Sequence, residues 1–330
     1  MSIPKDTLAF RSSLMRWYSR NGRDLPWRRT RDPYAILVSE FMLQQTQVAT
    51  VVPCYNQWLK RFPNLAMLAR ASQSDVLHAW QGLGYYARAR NLRATAKAII
   101  GRHHGRFPKS IDQMQQLPGI GKYTAHAIAT FAFDQPVPIV EANTARVLTR
   151  LVDLRIPIDS AAGRKILWNR AAQLLPKRRA AHFNSALIDL GALVCFPRKP
   201  KCEICPVKRF CRAINPGILP LKKAHPRTRR LTENHVCVVR QNKVLLERSA
   251  GRWRGMWILP PLKRRSRANG PIHTSIFPFT NHRITLNIFP KPWHQTDKRS
   301  QRWFAMKALD SIPLPAPHRR AINSVLSVRR

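Results

Sequence analysis

Acidic residues are scarce: the 330-residue chain has 16 Asp and Glu against 58 Lys and Arg, a formal net charge of +42. A chain this positive either needs a polyanion, nucleic acid first, or tolerates strong self-repulsion as a protein made basic by compositional drift. The deficit is not local, because 24 basic against 4 acidic residues from Gly217 onward leave +20 in the C-terminal third alone. Also missing is any apolar run of the roughly 20 residues that a membrane span needs. The opening MSIPKDTLAFRSSLMRWYSR lacks the apolar block and cleavage site of a secretory signal. A cytoplasmic protein with no membrane partner, associated with the nucleoid through DNA, is therefore expected. Cysteine is sparse as well: of six, Cys54 and Cys237 stand alone and four crowd into GALVCFPRKPKCEICPVKRFC. In a reducing compartment such thiols are metal or cluster ligands before they are disulfides.

The four are spaced Cys195-x6-Cys202-x2-Cys205-x5-Cys211. Structural zinc takes two close pairs separated by a longer insert, so the compact, uneven run favours iron-sulfur ligation and leaves zinc as the alternative. Arg198, Lys199 and Lys201 lie inside the loop, as a solvated basic segment or as cations presented to phosphate. From Asp6 to about Ile214 apolar residues recur at three- and four-residue spacing, for example in MLQQTQVATVVPCYNQWLKRF and YYARARNLRATAKAII, which predicts an all-helical region. PRTRRLT, residues 226–232, reads as a charged linker. Beyond it, NHVCVVRQNKVLLER has two short β-branched runs around Gln241-Asn242, a hairpin signal, and RITLNIF alternates as a strand. PLKRRSRANG, residues 261–270, reads as an exposed loop. No internal repeat is present.

Two features carry chemistry. In QLPGIGKYTAHAIATFAF, Gly119 and Gly121 allow a tight turn between helices, whose backbone N–H groups can approach a phosphate without reading bases. The plain reading is a compact helix connection. In AILVSEFMLQQTQV, Glu40 is the only carboxylate within an apolar helical pattern. Burial disfavours its charge and raises its pKa toward the working pH, as a general acid requires; a structural pairing with an arginine is the alternative.

Together these segments resemble the MutY-type family of adenine DNA glycosylases, in the helix-hairpin-helix, iron-sulfur superfamily that includes endonuclease III. The resemblance covers about 200 residues and runs through RDLPWR, SEFMLQQTQVAT, GLGYYARARN, LPGIGKYTA, FNSALIDLGALVC and the cysteine loop, in that order. It implies a [4Fe-4S] cluster on Cys195, Cys202, Cys205 and Cys211. It also implies base flipping from a duplex holding adenine opposite 8-oxoguanine or guanine, with Glu40 protonating the adenine at N7. Gln45 and Tyr85 then fill the vacated stack, Thr46 lies near the opposing base, and Arg23, Trp27 and Arg28 line the adenine pocket. Where endonuclease III relatives carry a strand-cleaving lysine, this chain has Tyr123; a phenol forms no imine, so a glycosylase without strong lyase activity is expected. Lys122 is one position away, about 100° around the helix.

Three positions depart from the family. It places Asp-Gly-Asn beside the sugar, and this chain has Glu141, Ala142 and Asn143, with the carboxylate one methylene longer. Ser185 stands where relatives carry Gln or Glu facing the adenine. The C-terminal region resembles a Nudix-like module through GRWRGMWILPPL, without the acid-rich box of the hydrolases. Its Phe-Ser-His or Phe-Thr-His loop aligns with Phe279, Thr280 and Asn281, His282 being the alternative counterpart. Asn281 can turn oxygen or NH2 toward a base and predicts a narrowed preference for 8-oxoguanine over guanine.

The expected fold is a mainly α helix-hairpin-helix glycosylase with a [4Fe-4S] loop, plus a C-terminal α+β Nudix-like domain, acting as a monomer on double-stranded DNA. Expected domains are 1–26 with 134–216 (cluster), 27–133 (helix-hairpin-helix), 217–230 (linker) and 231–330. The rival functions are a thymine or uracil mismatch glycosylase of the same superfamily and a non-catalytic iron-sulfur DNA-binding protein.

Overall fold

The computed structural model describes residues 6–224, 228–262, 270–290 and 300–327. Most of the loop expected at 261–270 lies outside them. Backbone packing divides the chain into two compact units, residues 1–66 with 94–224 and residues 67–93 with 225–330. The helices in chain order are α1 (Thr7–Asn21), α2 (Pro33–Leu43), α3 (Val48–Arg61), α4 (Leu65–Arg70), α5 (Gln73–Ala79), α6 (Ala87–Arg102), α7 (Ile111–Gln115), α8 (Lys122–Phe133), α9 (Ala142–Leu151), α10 (Ala161–Leu174) and α11 (Ala180–Leu193). The all-helical expectation for this stretch holds.

In the first unit α2 is the central helix. Its start is fixed by Asp32, whose carboxylate accepts the N–H groups of Tyr34 and Ala35, with Pro33 at the first helical position. Every residue from Tyr34 to Met42 is buried, because a helix apolar on all sides has to be covered, here by α3 and α8. Glu40 is carried into the interior by that necessity. A second core joins α1, α9, α10 and α11 around Phe10, Leu14, Leu148, Phe183 and Leu187. The rings of Phe10 and Phe183 meet edge to face at 6.4 Å, and Phe210 of the cysteine loop packs on Phe10 at 5.7 Å, seating the loop on this core.

The second unit holds two sheets. β1 (Arg229–Cys237), β6 (His282–Pro290) and β5 (His273–Phe279) form one in the order β1-β6-β5, with β1 parallel and β5 antiparallel to β6. β2 (Val239–Arg240), β3 (Lys243–Arg248) and β4 (Trp257–Ile258) form the other, with β7 (Gln301–Ala305) also on β3. The hairpin expected at Gln241-Asn242 is present: both residues have positive φ, 46° and 55°, as a two-residue turn of this kind requires. One expectation changes. β1 starts at Arg229, so the stretch 226–232 is partly strand, because parallel pairing with β6 from Arg229↔His282 to Cys237↔Pro290 outweighs its charge. Helix α12 (Ala316–Ser327) packs on β5. Residues 67–93 join this unit through Gln81 Nε2, which donates to the Ile312 carbonyl at 2.8 Å, and through the rings of Tyr86 and Trp253, 6.3 Å apart.

Candidate active site

A cavity of about 560 Å³ opens within the first unit and is lined by Arg23, Trp27, Arg28, Glu40, Gln45, Thr46, Tyr123, Glu141, Asn143 and Ser185, among others. Ten residues singled out from sequence, scattered from position 23 to 185, thus surround one space.

Glu40 is 5% exposed. Burial pushes its pKa up to about 7, the Tyr123 hydroxyl lowers it by hydrogen bonding, and the nearby Glu141 raises it. Its Oε2 is buried with no hydrogen-bond partner. A protonated carboxyl with one unpartnered oxygen in a cavity is a proton donor waiting for an acceptor. Burial and the two carboxylates raise the pKa of Tyr123 well above 10, so the phenol stays neutral and donates to Glu40.

Glu141 caps α9. One carboxylate oxygen accepts the Asn143 N–H at 2.8 Å, the other accepts the Thr144 N–H at 2.8 Å, and the Glu141 N–H donates back to Thr144 Oγ1 at 2.8 Å, closing a capping box. The extra methylene relative to aspartate is taken up by this curl. Burial raises its pKa, while the two backbone donors and the charges of Arg146 and Arg23 oppose the rise. The two acids differ in kind: Glu141 has donors that solvate an anion, and Glu40 has an oxygen that nothing solvates.

The structure adds residues that sequence reasoning missed. Asp189, fully buried, receives Arg23 Nε at 2.8 Å, the Arg23 N–H at 2.8 Å, Arg28 Nη1 at 2.7 Å and Arg28 Nη2 at 2.8 Å. Burial raises its pKa, but the two guanidiniums prevail and hold the carboxyl below its usual range. Arg23 and Arg28 do line the cavity, with guanidiniums committed to Asp189 instead of free for a ligand. The signal was present, since Asp189 is the only acid in FNSALIDLGALVC. Arg146 bridges the Asn143 side chain (Nη2 to Oδ1, 2.8 Å) to the carbonyls of Gly191 (2.7 Å) and Cys195 (2.8 Å). Gly191 is held to glycine by this approach, because a Cβ there would lie 2.6 Å from Asn143 Cβ. Trp27 packs edge to face on Tyr55 at 5.4 Å, and Ser185 is 5% exposed.

Other expected residues lie outside the cavity. In the α7–α8 turn Gly119 has φ +77°, a conformation that favours glycine. Gly121 has φ −90°, and a Cβ there would meet open space, so it leaves a bare approach to the N-terminus of α8. Lys122 points onto Trp168, its Nζ 4.2 Å from the ring centroid. With Tyr123 in the cavity and Lys122 held against Trp168, borohydride is expected to trap no more than a trace of covalent product on an intact base substrate; efficient trapping contradicts this assignment. Tyr85, Thr280 and Asn281 belong to the second unit. Tyr85 has φ 46° and its ring lies 6.3 Å from Phe279, while Thr280 and Asn281 form the β5–β6 turn and His282 starts β6.

The four clustered cysteines are free thiols on one loop. Burial first, then the neighbouring cysteines, push the Cys205 thiol up to about 11, and burial also raises that of Cys211. Buried Arg150 places Nη1 3.2 Å from Cys195 Sγ and donates to the carbonyls of Phe196 (2.7 Å) and Pro197 (2.6 Å). Four thiols on one loop are the donor type that an iron-sulfur centre takes, although no three such donors among the described residues are grouped as a metal requires.

Residues 38–167 match the family described as "HhH-GPD superfamily base excision DNA repair protein", and residues 195–211 match the "Iron-sulfur binding domain of endonuclease III". An adenine DNA glycosylase of Buchnera aphidicola subsp. Schizaphis graminum is 31% identical over 95% of this chain and 98% of its own. The chain belongs to the adenine DNA glycosylase family. The match over residues 195–211 indicates a [4Fe-4S] cluster on this cysteine-bearing segment. The mouse adenine DNA glycosylase is 45% identical over 63% of this chain, and the match spans 42% of the mouse protein. Among solved structures, a thermostable thymine-DNA glycosylase has a TM-score of 0.59 and 32% identity, covering 63% of this chain and 95% of its own. A trapped endonuclease III-DNA covalent intermediate, 21% identical over 64% of this chain and 97% of its own with a TM-score of 0.56, shares the fold of the helical region. No helix among the described residues is long and apolar enough to cross a membrane.

Proposed function

We propose that this family member is a monofunctional DNA N-glycosylase that removes adenine mispaired with 8-oxoguanine or guanine from double-stranded DNA, acting as a monomer. The observation that carries the reading is the unpartnered, buried Oε2 of Glu40 facing a cavity that Glu141 also lines. In the reaction Glu40 gives its proton to N7 of the flipped adenine, making the base a leaving group. As the glycosidic bond breaks, its electron pair leaves with the protonated adenine and the sugar gains oxocarbenium character, which the carboxylate of Glu141, held by two backbone N–H groups, stabilises electrostatically until a water adds at C1′ and gives up its proton. Asn143, fixed by Arg146, flanks that carboxylate. Arg23, Trp27, Arg28 and Ser185 shape the pocket, Gln45 and Tyr85 fill the gap in the duplex, and Thr46 lies near the opposing base. The turn at Gly119 and Gly121 grips the backbone.

The second unit is read as a Nudix-like lesion-recognition module. Thr280 Oγ1 donates to its own neighbour's carbonyl, that of Phe279, at 2.7 Å. The hydroxyl hydrogen being used, the oxygen offers lone pairs outward, which suits the N7–H of 8-oxoguanine and repels the N7 lone pair of guanine. Thr280 holds φ 52°, a strained state for a β-branched residue that is concentrated at ligand-contacting positions. Asn281, able to present either group, narrows the preference.

The test is a panel of duplexes holding A, T or U opposite G or 8-oxoguanine, read as alkali-labile breaks. Breaks are expected only at A, faster opposite 8-oxoguanine, with the ratio reduced about tenfold in Thr280→Val, the worth of one hydrogen bond. Breaks at T or U instead assign the chain to the mismatch class represented by the thymine-DNA glycosylase structure.

A further inference from the structure

We propose that Arg230 and Arg283 form a phosphodiester clamp on the outer face of the β1-β6-β5 sheet, holding the backbone of the strand that the adjacent Phe279-Thr280 turn inspects. This rests on the DNA-binding reading above. The register pairs Arg230 with Arg283 directly, and Arg283 with Pro278 of β5, one residue before Phe279. Side chains alternate along each strand, so residues 230, 232 and 234 share a face with 283, 285 and 287. Ile284, Leu286 and Ile288 on the opposite face are all buried. The outer face is open: Arg230, Thr232 and Arg283 are exposed, and Ile276 is 56% exposed.

Three rows cross this face, and they differ in whether their polar groups are satisfied. Farthest from the turn, Thr274 Oγ1 donates to Asn287 Oδ1 at 2.9 Å and Asn287 Nδ2 donates to Asn234 Oδ1 at 3.0 Å, a ladder closed on itself. Thr232 and Thr285 form the next row. Nearest the turn, the Arg230 and Arg283 side chains have no ion pair or hydrogen bond among the described residues. Like charges placed directly across paired strands destabilise a sheet. The nearest acid does not relieve them, because Glu233 has the opposite parity, on the inner face, and pairs with Arg252 at 3.1 Å, whose guanidinium lies 4.6 Å from the Phe279 ring. Arg230 and Arg283 stand on paired strands whose backbones are about 4.8 Å apart, so both planar forks can reach one phosphodiester, each suited to bidentate contact with its oxygens. Bound phosphate would turn the repulsion into a ligand site beside the lesion-reading turn.

The test uses the full-length protein and an undamaged duplex, so it does not depend on excision. Affinity is measured by fluorescence anisotropy against salt for Arg230→Gln, Arg283→Gln and the double variant. Each single change is expected to weaken binding about tenfold and to reduce the slope of log K against log salt by about 0.9. The double variant is expected to lose about twice that slope, with Arg283→Lys keeping it. Thermal unfolding should stay unchanged or rise, since a like-charge pair is removed. An unchanged salt slope in the double variant overturns the clamp, and an unchanged slope with a lowered unfolding temperature assigns the pair a structural role instead. Loss of slope in a protein that fails to release adenine would leave the clamp standing and sink only the adenine assignment.

Discussion

Glu40→Gln is expected to slow adenine release by about 10²- to 10⁴-fold, the usual worth of a general acid, and at the same time to make the protein more stable in alkali. Both effects come from the same burial. The folded pKa is about 7 against an ordinary 4.5, with desolvation as the main cause. A group whose folded pKa is raised contributes stability that is fully present below the unfolded value and is lost as pH rises through the folded one. Glutamine never ionises and escapes that loss, which for a shift of this size amounts to about 3 kcal/mol. Single-turnover excision and thermal unfolding at about pH 8.5, on parent and variant, read the two effects separately. A glutamate kept for structure through an ion pair predicts the reverse sign in the unfolding measurement, because its loss would strand a buried partner charge.

Glu141→Gln is the second large effect. Release is expected to fall by about 10²- to 10³-fold from the lost electrostatic stabilisation. Stability should fall by about 0.5–2 kcal/mol, because the amide keeps only one good acceptor for the Asn143 and Thr144 N–H groups that the carboxylate serves. Glu141→Asp separates the two roles. Aspartate is a strong N-cap and keeps the charge, so it should recover most of the rate lost in the glutamine variant. Near-full activity of Glu141→Gln would remove this residue from the mechanism and leave it a helix cap.

How much of this was legible in the sequence depends on how local each determinant is. Glu40 was visible because it is the one acid in an apolar helical run, and the run itself dictates burial. The helical region, the Gln241-Asn242 hairpin and the cysteine loop were legible for the same reason: period, turn residues and spacing are short-range properties. Asp189 was not identified, although it lies in a segment already singled out. Its meaning comes from Arg23 and Arg28, more than 160 positions away, and no local pattern pairs them. The curl of Glu141 was equally hidden. The extra methylene suggested altered reach, whereas the backbone donors at the start of α9 draw the carboxylate in. The strand beginning at Arg229 was masked by its own charge, since its partner is β6, about fifty residues on, and parallel pairing leaves no hairpin signature. The joining of residues 67–93 to the C-terminal sheets rests on single bonds such as Gln81 to the Ile312 carbonyl, which composition does not announce.

The measurement that bears most directly on the proton-donor assignment is the pH dependence of single-turnover adenine release by the unaltered protein. Glu40 must be protonated to act, so the rate is expected to fall as pH rises through about 7, by roughly tenfold for each further unit, and on the acid side to hold only as far as Glu141 stays ionised. The residual rate of Glu40→Gln should lack that fall. A parent rate that stays level well into alkali, or a variant that reproduces the parent's decline, would contradict the assignment.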